Sequence, residues 1–181
     1  PILINPDFAQ YLRKYAEVAK NAIISKEDMN QYHAIRDLSD IKEHPDSTPE
    51  QISLAEKRLN HVNRNMKHIS EAALLSRMNW WTAEYGLIGD LKNPKIYGAG
   101  LLSSVGESKQ CLSNKVKKLP LDVSCVDFSY DITEQQPQLF VAKDFHQLHT
   151  VLEKLADRLS FRRGGSHGLR EAQKAQTVNT A

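Results

Sequence analysis

The distribution of chain-breaking residues limits the fold of this sequence more than any other feature. All eight glycines lie from Gly86 onward, and neither glycine nor proline occurs between Pro49 and Gly86. Because glycine and proline destabilise helix interiors, their absence favours long helices in the first half and shorter, mixed elements in the second. We therefore predict a mainly α-helical fold with short β-strands.

Capping residues indicate where the first helices begin. Asp7 can cap a helix that runs to about Ile24, and Ser25 can start another that extends to about His44. Thr48 is followed by a first-turn proline and by a glutamine at the capping-box position, which together make a strong helix start. These signals predict three successive helices.

The apolar residues of the third helix recur at spacings of three and four. They are Ile52, Ala55, Leu59, Val62, Met66, Ile69 and Ala73. Because such a stripe can pack along the preceding helix, residues 26–70 are predicted to form an antiparallel helical hairpin. The pattern allows either one long helix through Ala73 or a new helix after a break near Ser70.

The second half of the chain has a more broken pattern. Lys95–Leu102 is typical of a short strand that enters a glycine-containing turn, and Gln138–Ala142 is typical of another strand. Asp144 can cap a clear amphipathic helix. Residues 164–181 are basic and polar, and we interpret them as a polar linker or a truncated tail.

Composition excludes several classes of partner. The 24 Lys and Arg nearly balance the 22 Asp and Glu, so a net charge of +2 gives no electrostatic argument for nucleic acid or membrane surfaces. No apolar run approaches membrane-spanning length, and no secretion signal is visible. The two cysteines, Cys111 and Cys125, form no CxxC motif and fit a reducing compartment. We therefore expect a cytoplasmic protein.

One acidic residue lies in the most aromatic stretch of the chain. The sequence NWWTAEYGL (Asn79–Leu87) surrounds Glu84 with two tryptophans and a tyrosine. A carboxylate is costly to bury unless a cation or several donors compensate it. Glu84 could pair with Arg77 or a lysine at a helix surface, or it could bind a hard, oxygen-preferring cation in an apolar pocket. Periodicity alone leaves both interpretations open.

Other candidate sites are weaker. His146, His149 and Glu153 have metal-ligand spacing on one helical face, but they flank the apolar seam, which favours a solvated role. The glycines and serines of YGAGLLSSVGES lack the lysine and the spacing of a phosphate-binding loop. The sequence also contains no GxSxG motif of a nucleophilic hydrolase.

Two motifs in the correct order resemble a known family. WWTAEYGL, followed by KIYGAGLLSSVGE, resembles the signature of the biopterin-dependent aromatic amino acid hydroxylases, which reads roughly W-F-T-V-E-F-G-L and then Y-G-A-G-L-L-S-S-x-G-E. PILINPDFAQYL, LPLDV and QQPQLFVAKDF resemble flanking family segments. The resemblance covers about residues 1–15 and 75–163. It implies that residues 1–163 form the C-terminal part of a hydroxylase catalytic domain, with 26–70 as an inserted helical hairpin.

The resemblance also implies a chemistry. Members are non-haem iron, tetrahydrobiopterin-dependent monooxygenases that use dioxygen to hydroxylate an aromatic amino acid, and we expect phenylalanine as the substrate. The family holds Fe(II) with two histidines of an H-x-x-x-x-H motif and one glutamate, which Glu84 matches. Trp80 and Tyr85 match aromatic residues placed against the substrate, and Ser103 matches a serine near its backbone groups. Asn79 departs from the tyrosine of many members.

One departure limits what this chain can do alone. The histidine motif of the family would lie immediately upstream of Pro1, and none of the seven histidines matches a ligand position. We therefore expect a fragment of the catalytic domain that binds iron poorly and does not turn over. The alternative hypothesis is a non-catalytic helical interaction module, in which the 26–70 hairpin binds a partner and Glu84 is a surface residue.

Overall fold

The computed structural model describes residues 2–130, 132 and 134–176. The chain divides into two compact units, one built from the residues up to Ala22 together with Leu74–Arg163, the other from Ile23–Ala73 and the residues from Gly164 onward. Over these ranges helices predominate and four short strands form one sheet, which confirms the predicted fold class. Among the described residues, no helix combines the length and the apolar character needed to cross a bilayer.

The elements follow one another in a simple order. The helices are α1 Pro6–Ala19, α2 Lys26–Glu43, α3 Pro49–Asn65, α4 Glu71–Asn79, α5 Ala99–Ser103, α6 Val105–Gln110, α7 Phe145–Ala156, α8 Ser160–Arg163 and α9 Gly165–Ala175. The strands are β1 Leu87–Asp90, β2 Asn93–Ile96, β3 Lys117–Pro120 and β4 Gln138–Ala142. A π-helical turn, Trp80–Glu84, follows α4, and 3₁₀ turns lie at Ile2–Ile4 and Val123–Asp127.

The first helix begins earlier than predicted. Asn5, not Asp7, is its N-cap, because the Asn5 side-chain oxygen accepts hydrogen bonds from the amides of Asp7 and Phe8, both at 3.0 Å. Pro6 occupies the first helical position, where the missing N–H costs nothing. The helix also ends at Ala19, before the predicted end.

The sheet of the first unit is mixed and has the strand order β2-β1-β4-β3. β1 and β2 form an antiparallel hairpin, whereas β4 pairs in parallel with both β1 and β3. The turn between β1 and β2 uses Gly89 at a positive φ of 105°, which glycine adopts without strain. The predicted strand and turn at Lys95–Leu102 overlaps β2 only at its last two residues, and Ala99–Ser103 forms helix α5 instead of a turn. β4 matches the predicted strand, whereas β1 and β3 were not predicted.

The core of the first unit joins α7, α1 and the sheet. Asp144 caps α7 as predicted, since its carboxylate accepts the amide of Gln147 at 2.8 Å. The inner face of α7 is fully apolar and consists of Leu148, Val151, Leu152, Leu155 and Ala156. On α1, Phe8 and Tyr11 are buried and belong to the same core cluster. This framework supports the aromatic stretch that follows α4.

In the second unit, α2 and α3 form an antiparallel helical hairpin within the predicted segment 26–70, and its status as an insertion stays a prediction. Ser25 and Thr48 both make complete capping boxes, at the starts of α2 and α3. The two helices run antiparallel and bury Ala34, Leu38 and Ala55. Polar pairs along the hairpin follow the same antiparallel register: Gln31 with Asn63, Asp37 with Arg58, and Lys42 with Glu56.

The third helix stops well before Ala73. α3 ends at Asn65, so the interpretation as one long helix is wrong, and the alternative of a break near Ser70 is correct. The Glu27 carboxylate accepts the amides of Lys67 and His68, at 2.9 and 3.3 Å, which replaces the helical hydrogen bonds lost at the break. A side chain of α2 therefore stabilises the point where the apolar pattern continues but the helix does not.

The chain after residue 163 includes a helix, whereas the sequence suggested a polar linker or a truncated tail. Residues Gly165–Ala175 form helix α9 in the second unit, and His68 approaches Glu171 at 3.3 Å. Residues 177–181 of the predicted tail lie outside the described residues.

Deletion of the hairpin tests whether residues 26–70 are an insertion. The amide of Ala72 donates to the carbonyl of Ile23 at 3.1 Å, so the two ends of the segment 26–70 lie next to each other. Among the described residues, none in the range 26–70 belongs to the core cluster of the first unit. A variant in which glycines join Ser25 to Glu71 should therefore keep the near-UV circular dichroism of the aromatic core. Loss of that spectrum, with the parent chain folded, would argue against a peripheral insertion.

Candidate functional site

The two adjacent tryptophans, Trp80 and Trp81, begin a π-helical turn. The amide of Tyr85 donates to the carbonyl of Trp80, five residues earlier, at 2.8 Å. Trp81 is fully buried, and its indole N–H donates to the carbonyl of Phe128 at 3.0 Å. Trp80 is half-buried and turns to a different environment. The two adjacent rings therefore lie in different environments.

Three aromatic rings form a continuous stack. Trp80 lies between Tyr85 and Tyr130, with ring centroids 4.4 and 4.3 Å apart and interplanar angles of 16° and 7°. The Tyr130 hydroxyl lies 2.9 Å from the hydroxyl of Ser76. The buried indole N–H of Trp80 has no acceptor among the described residues. Both faces of the Trp80 ring are occupied in this arrangement, so an aromatic ligand could stack on it only after one tyrosine moved.

Glu84 is a half-buried carboxylate next to this stack. The predicted surface partner is used elsewhere, since Arg77 donates to the carbonyl of Val126 at 3.0 Å. No other described residue forms a hydrogen bond or ion pair with the Glu84 side chain, so the surface-pair interpretation is not supported. The Glu84 oxygens are not among the buried side-chain atoms that lack a partner, so they reach solvent. The carboxylate is therefore open to a cation or to donors supplied from elsewhere.

Glycines on the neighbouring loop let the backbone approach Glu84 closely. The amide of Gly98 donates to the carbonyl of Gly86 at 3.0 Å. A Cβ on Gly98 would overlap the carbonyl oxygen of Glu84, and one on Gly100 would lie 2.8 Å from the Tyr85 ring. The glycines of YGAGLL are therefore packing residues, and they connect the two motifs that carry the family resemblance.

Ser103 lies at the end of α5, beside this contact. Its side chain is exposed, and its hydroxyl donates to the carbonyl of Gly100 at 3.0 Å. Ser104 instead caps α6, where its hydroxyl accepts the amide of Glu107 at 3.3 Å. The structure thus brings Trp80, Glu84 and Tyr85 together directly, and places Ser103 next to them through Gly100.

The electrostatics around Tyr85 keep its phenol neutral. Partial burial raises the pKa of Tyr85, and the nearby carboxylates of Glu107 and Glu84 raise it further, since both disfavour the phenolate. Burial also raises the pKa of the Glu107 carboxyl. Both shifts disfavour additional negative charge beside Tyr85.

The part of the chain that the structure describes does not provide a complete iron site. Within the described ranges, no three His, Cys, Asp or Glu side chains converge as a metal-binding group. The weaker candidate on α7 is used in other contacts: His149 lies 3.2 Å from the carbonyl oxygen of Asp7, and Glu153 pairs with Arg162 at 2.7 Å. Glu84 could supply one ligand, but the remaining ligands of a three-residue set do not come from the described residues.

Tyr130 is the site residue that sequence reasoning missed. It lies in a loop, where no periodicity distinguishes a functional tyrosine from a solvated one. Its stacking partner Trp80 is 50 positions away, so only the folded chain reveals the contact. The resemblance offered one indication that Tyr130 could lie near the site, because this residue falls between two segments that resemble the family, LPLDV and QQPQLFVAKDF.

Several enzymes are similar to part of this chain. Phenylalanine-4-hydroxylase of Rattus norvegicus is 46% identical over 74 residues, which cover 39% of this chain and 16% of that enzyme. The enzyme of Bos taurus is 47% identical over 83 residues, covering 45% and 18%. The enzyme of Vibrio cholerae is 35% identical over 86 residues, covering 46% and 30%. The matched stretch is thus less than a third of each of these relatives.

Solved structures of bacterial enzymes are also similar. Phenylalanine hydroxylase from Legionella pneumophila has a TM-score of 0.44 and 32% identity, covering 57% of this chain and 48% of that chain. The iron- and phenylalanine-bound enzyme of Chromobacterium violaceum has a TM-score of 0.43 and 30% identity, covering 60% and 44%.

A family model decides the assignment. The model described as biopterin-dependent aromatic amino acid hydroxylase matches residues 58–164, which are more than half of the chain. The match includes the aromatic stack, Glu84 and the glycine-rich loop packed against it. The chain therefore belongs to the biopterin-dependent aromatic amino acid hydroxylase family.

Proposed function

We propose that this chain is the C-terminal part of the catalytic domain of a tetrahydrobiopterin-dependent monooxygenase that hydroxylates phenylalanine to tyrosine with Fe(II) and dioxygen. The family assignment supports the reaction class, and every relative described above is a phenylalanine hydroxylase. The small share of those relatives that the chain spans supports its interpretation as a part of the catalytic domain. A cytoplasmic location stays the prediction made from the sequence.

The environment of Glu84 is the observation that carries this proposal. The residue is half-buried beside the Trp80–Tyr85 pair, lacks a partner among the described residues, and matches the family glutamate. An anionic oxygen in such a place is a suitable ligand for a divalent metal ion. We assign to it one ligand position, and we expect the histidine ligands to come from a segment outside this chain.

The aromatic stack is the proposed substrate side of the site. Tyr130 shows that a ring can lie parallel to Trp80 at stacking distance, and a substrate ring that took its place would stack on the flat face of Trp80. The unpartnered indole N–H of Trp80 provides a donor for an oxygen of a bound ligand. The exposed hydroxyl of Ser103 is the proposed contact for the polar groups of the amino acid.

A restored protein tests the proposal. The family segment that ends with the histidine motif, taken from the Vibrio cholerae enzyme, can be fused ahead of residue 1 and supplied with Fe(II) and tetrahydrobiopterin. We expect this fusion to form tyrosine from phenylalanine, and to act less well on tyrosine or tryptophan. The chain alone and the added segment alone should both be inactive. A folded, iron-loaded fusion that hydroxylates none of the three amino acids would contradict the proposed function.

A further inference from the structure

The stacking of Trp80 on Tyr85 depends on the π-helical turn between them. Residues five apart in an α-helix point about 140° away from each other, so their rings cannot stack. The wider π turn returns the fifth residue toward the first, and the two ring centroids lie 4.4 Å apart. The same turn sets the direction of Glu84, its last residue. The geometry of the candidate site is therefore a property of this one irregular turn.

π-helical turns need support, because α-helical hydrogen bonding is the default for such a segment. Here a chain of hydrogen bonds crosses the turn. The hydroxyl of Thr82 donates to the carbonyl of Met78 at 2.6 Å, and the Tyr11 hydroxyl lies 2.8 Å from the same Thr82 oxygen. A hydroxyl carries one proton, so the Tyr11 hydroxyl is the donor to Thr82.

The hydrogen bond between Tyr11 and Thr82 is buried, and Tyr11 is its donor. Tyr11 and Thr82 are both about 1% exposed, so water does not compete for the bond. Burial raises the pKa of the Tyr11 phenol well above its ordinary value, and the residue therefore stays a donor. Donation to Thr82 in turn strengthens the bond from Thr82 to the Met78 carbonyl.

A second tyrosine of α1 provides an internal comparison. The hydroxyl of Tyr15, one helical turn after Tyr11, donates to the carbonyl of Leu75 at 2.9 Å. Leu75 lies in regular α-helix before the turn, whereas Thr82 lies inside the turn. The two tyrosines thus contact the same segment with the same chemistry, and only one of them reaches the irregular part.

We propose that Tyr11 is a positioning residue for the site: through the hydroxyl of Thr82 it holds the π-helical turn that places Trp80, Glu84 and Tyr85 on one face. The relevance of this role to hydroxylation rests on the proposed function. The role itself does not, because it concerns the geometry of the turn whether or not Glu84 binds a metal ion.

The chain contains two tryptophans, which makes ¹⁹F NMR of the 5-fluorotryptophan-labelled protein a direct measurement. The Trp80→Phe variant assigns the two resonances. In Tyr11→Phe and in Thr82→Val, the Trp80 resonance should move toward that of unfolded protein, because the flanking ring leaves its face. The Tyr85 amide should also lose hydrogen-exchange protection. Tyr15→Phe and Thr82→Ser, which keep the Tyr11–Thr82 bond, should leave both readouts unchanged.

Several results would overturn the proposal. One is an unmoved Trp80 resonance in both folded Tyr11→Phe and folded Thr82→Val. Another is an equal shift in Tyr15→Phe, which would show general loosening of α1 rather than control of the turn. If Tyr11→Phe fails to fold, the comparison of Thr82→Val with Thr82→Ser is the remaining test. Equal spectra for those two variants would show that the Thr82 hydroxyl does not hold the π-helical turn. None of these three results depends on iron binding or on hydroxylation by the restored enzyme.

Discussion

A Gly98→Ala variant should lose about 3 kcal/mol of unfolding free energy, at the upper end of what overpacking costs. The added Cβ would overlap the carbonyl oxygen of Glu84 and lie 2.6 Å from the amide nitrogen of Gly86. Both neighbours are backbone atoms, so no side-chain rotation can relieve the contact. The φ of −61° at Gly98 is ordinary for alanine, which leaves steric overlap as the cause.

Gly106 is the matched control for this prediction. It lies in α6, and a Cβ there would have its nearest neighbour at 3.8 Å, an ordinary contact. Gly106→Ala should therefore be neutral or stabilise the protein by up to about 1 kcal/mol, the propensity advantage of alanine over glycine in a helix. Urea unfolding of the three proteins measures both effects. Equal stabilities for the parent and Gly98→Ala would show that the loop does not pack against Glu84 as described.

The helical hairpin and several helix starts were predictable, because their causes are local. The capping boxes at Ser25 and Thr48 and the cap at Asp144 each involve residues three positions apart, and all three formed as predicted. At the first helix, both Asn5 and Asp7 could act as caps. Pro6 favours Asn5, since proline belongs at the first helical position, so the information was present in the sequence.

The elements that the prediction missed are set by distant contacts. β1 and β3, with the sequences LIGD and KKLP, are too short to show alternation. β3 is a strand through its pairing with β4, and β1 through its pairing with both β4 and its hairpin neighbour β2. The π-helical turn reads as ordinary helix in sequence, and the residues against it are Tyr11 and Gly98, which lie far away along the chain. No spacing rule within nine residues could have indicated them.

The candidate site was found by resemblance rather than by physical pattern. Periodicity left open a surface pair of Glu84 with Arg77 or a lysine, and in the structure Arg77 donates to the Val126 carbonyl instead. The roles of Trp80, Tyr85 and Ser103 stay predictions. Tyr130 had no pattern of its own, and its contact with Trp80 adds a constraint on how an aromatic ligand could enter the stack.

Iron binding by Glu84 is the central claim of this account, and the restored protein allows a direct measurement. Glu84→Gln keeps the shape of the side chain and removes the anionic oxygen. Loss of a residue that merely supports a metal ligand already costs roughly 10- to 100-fold in affinity, so loss of the ligand itself should cost at least that much. Packing of the stack should survive, because the substitution is isosteric.

Glu107→Gln is the control, because Glu107 is a second partly buried carboxylate close to Tyr85. Titration of each folded fusion protein with Fe(II), alongside its melting temperature, separates metal binding from stability. We expect Glu84→Gln to lose iron with little change in melting temperature, and Glu107→Gln to keep most of its iron. Iron affinity that is unchanged in folded Glu84→Gln would contradict the account and remove Glu84 from the metal site.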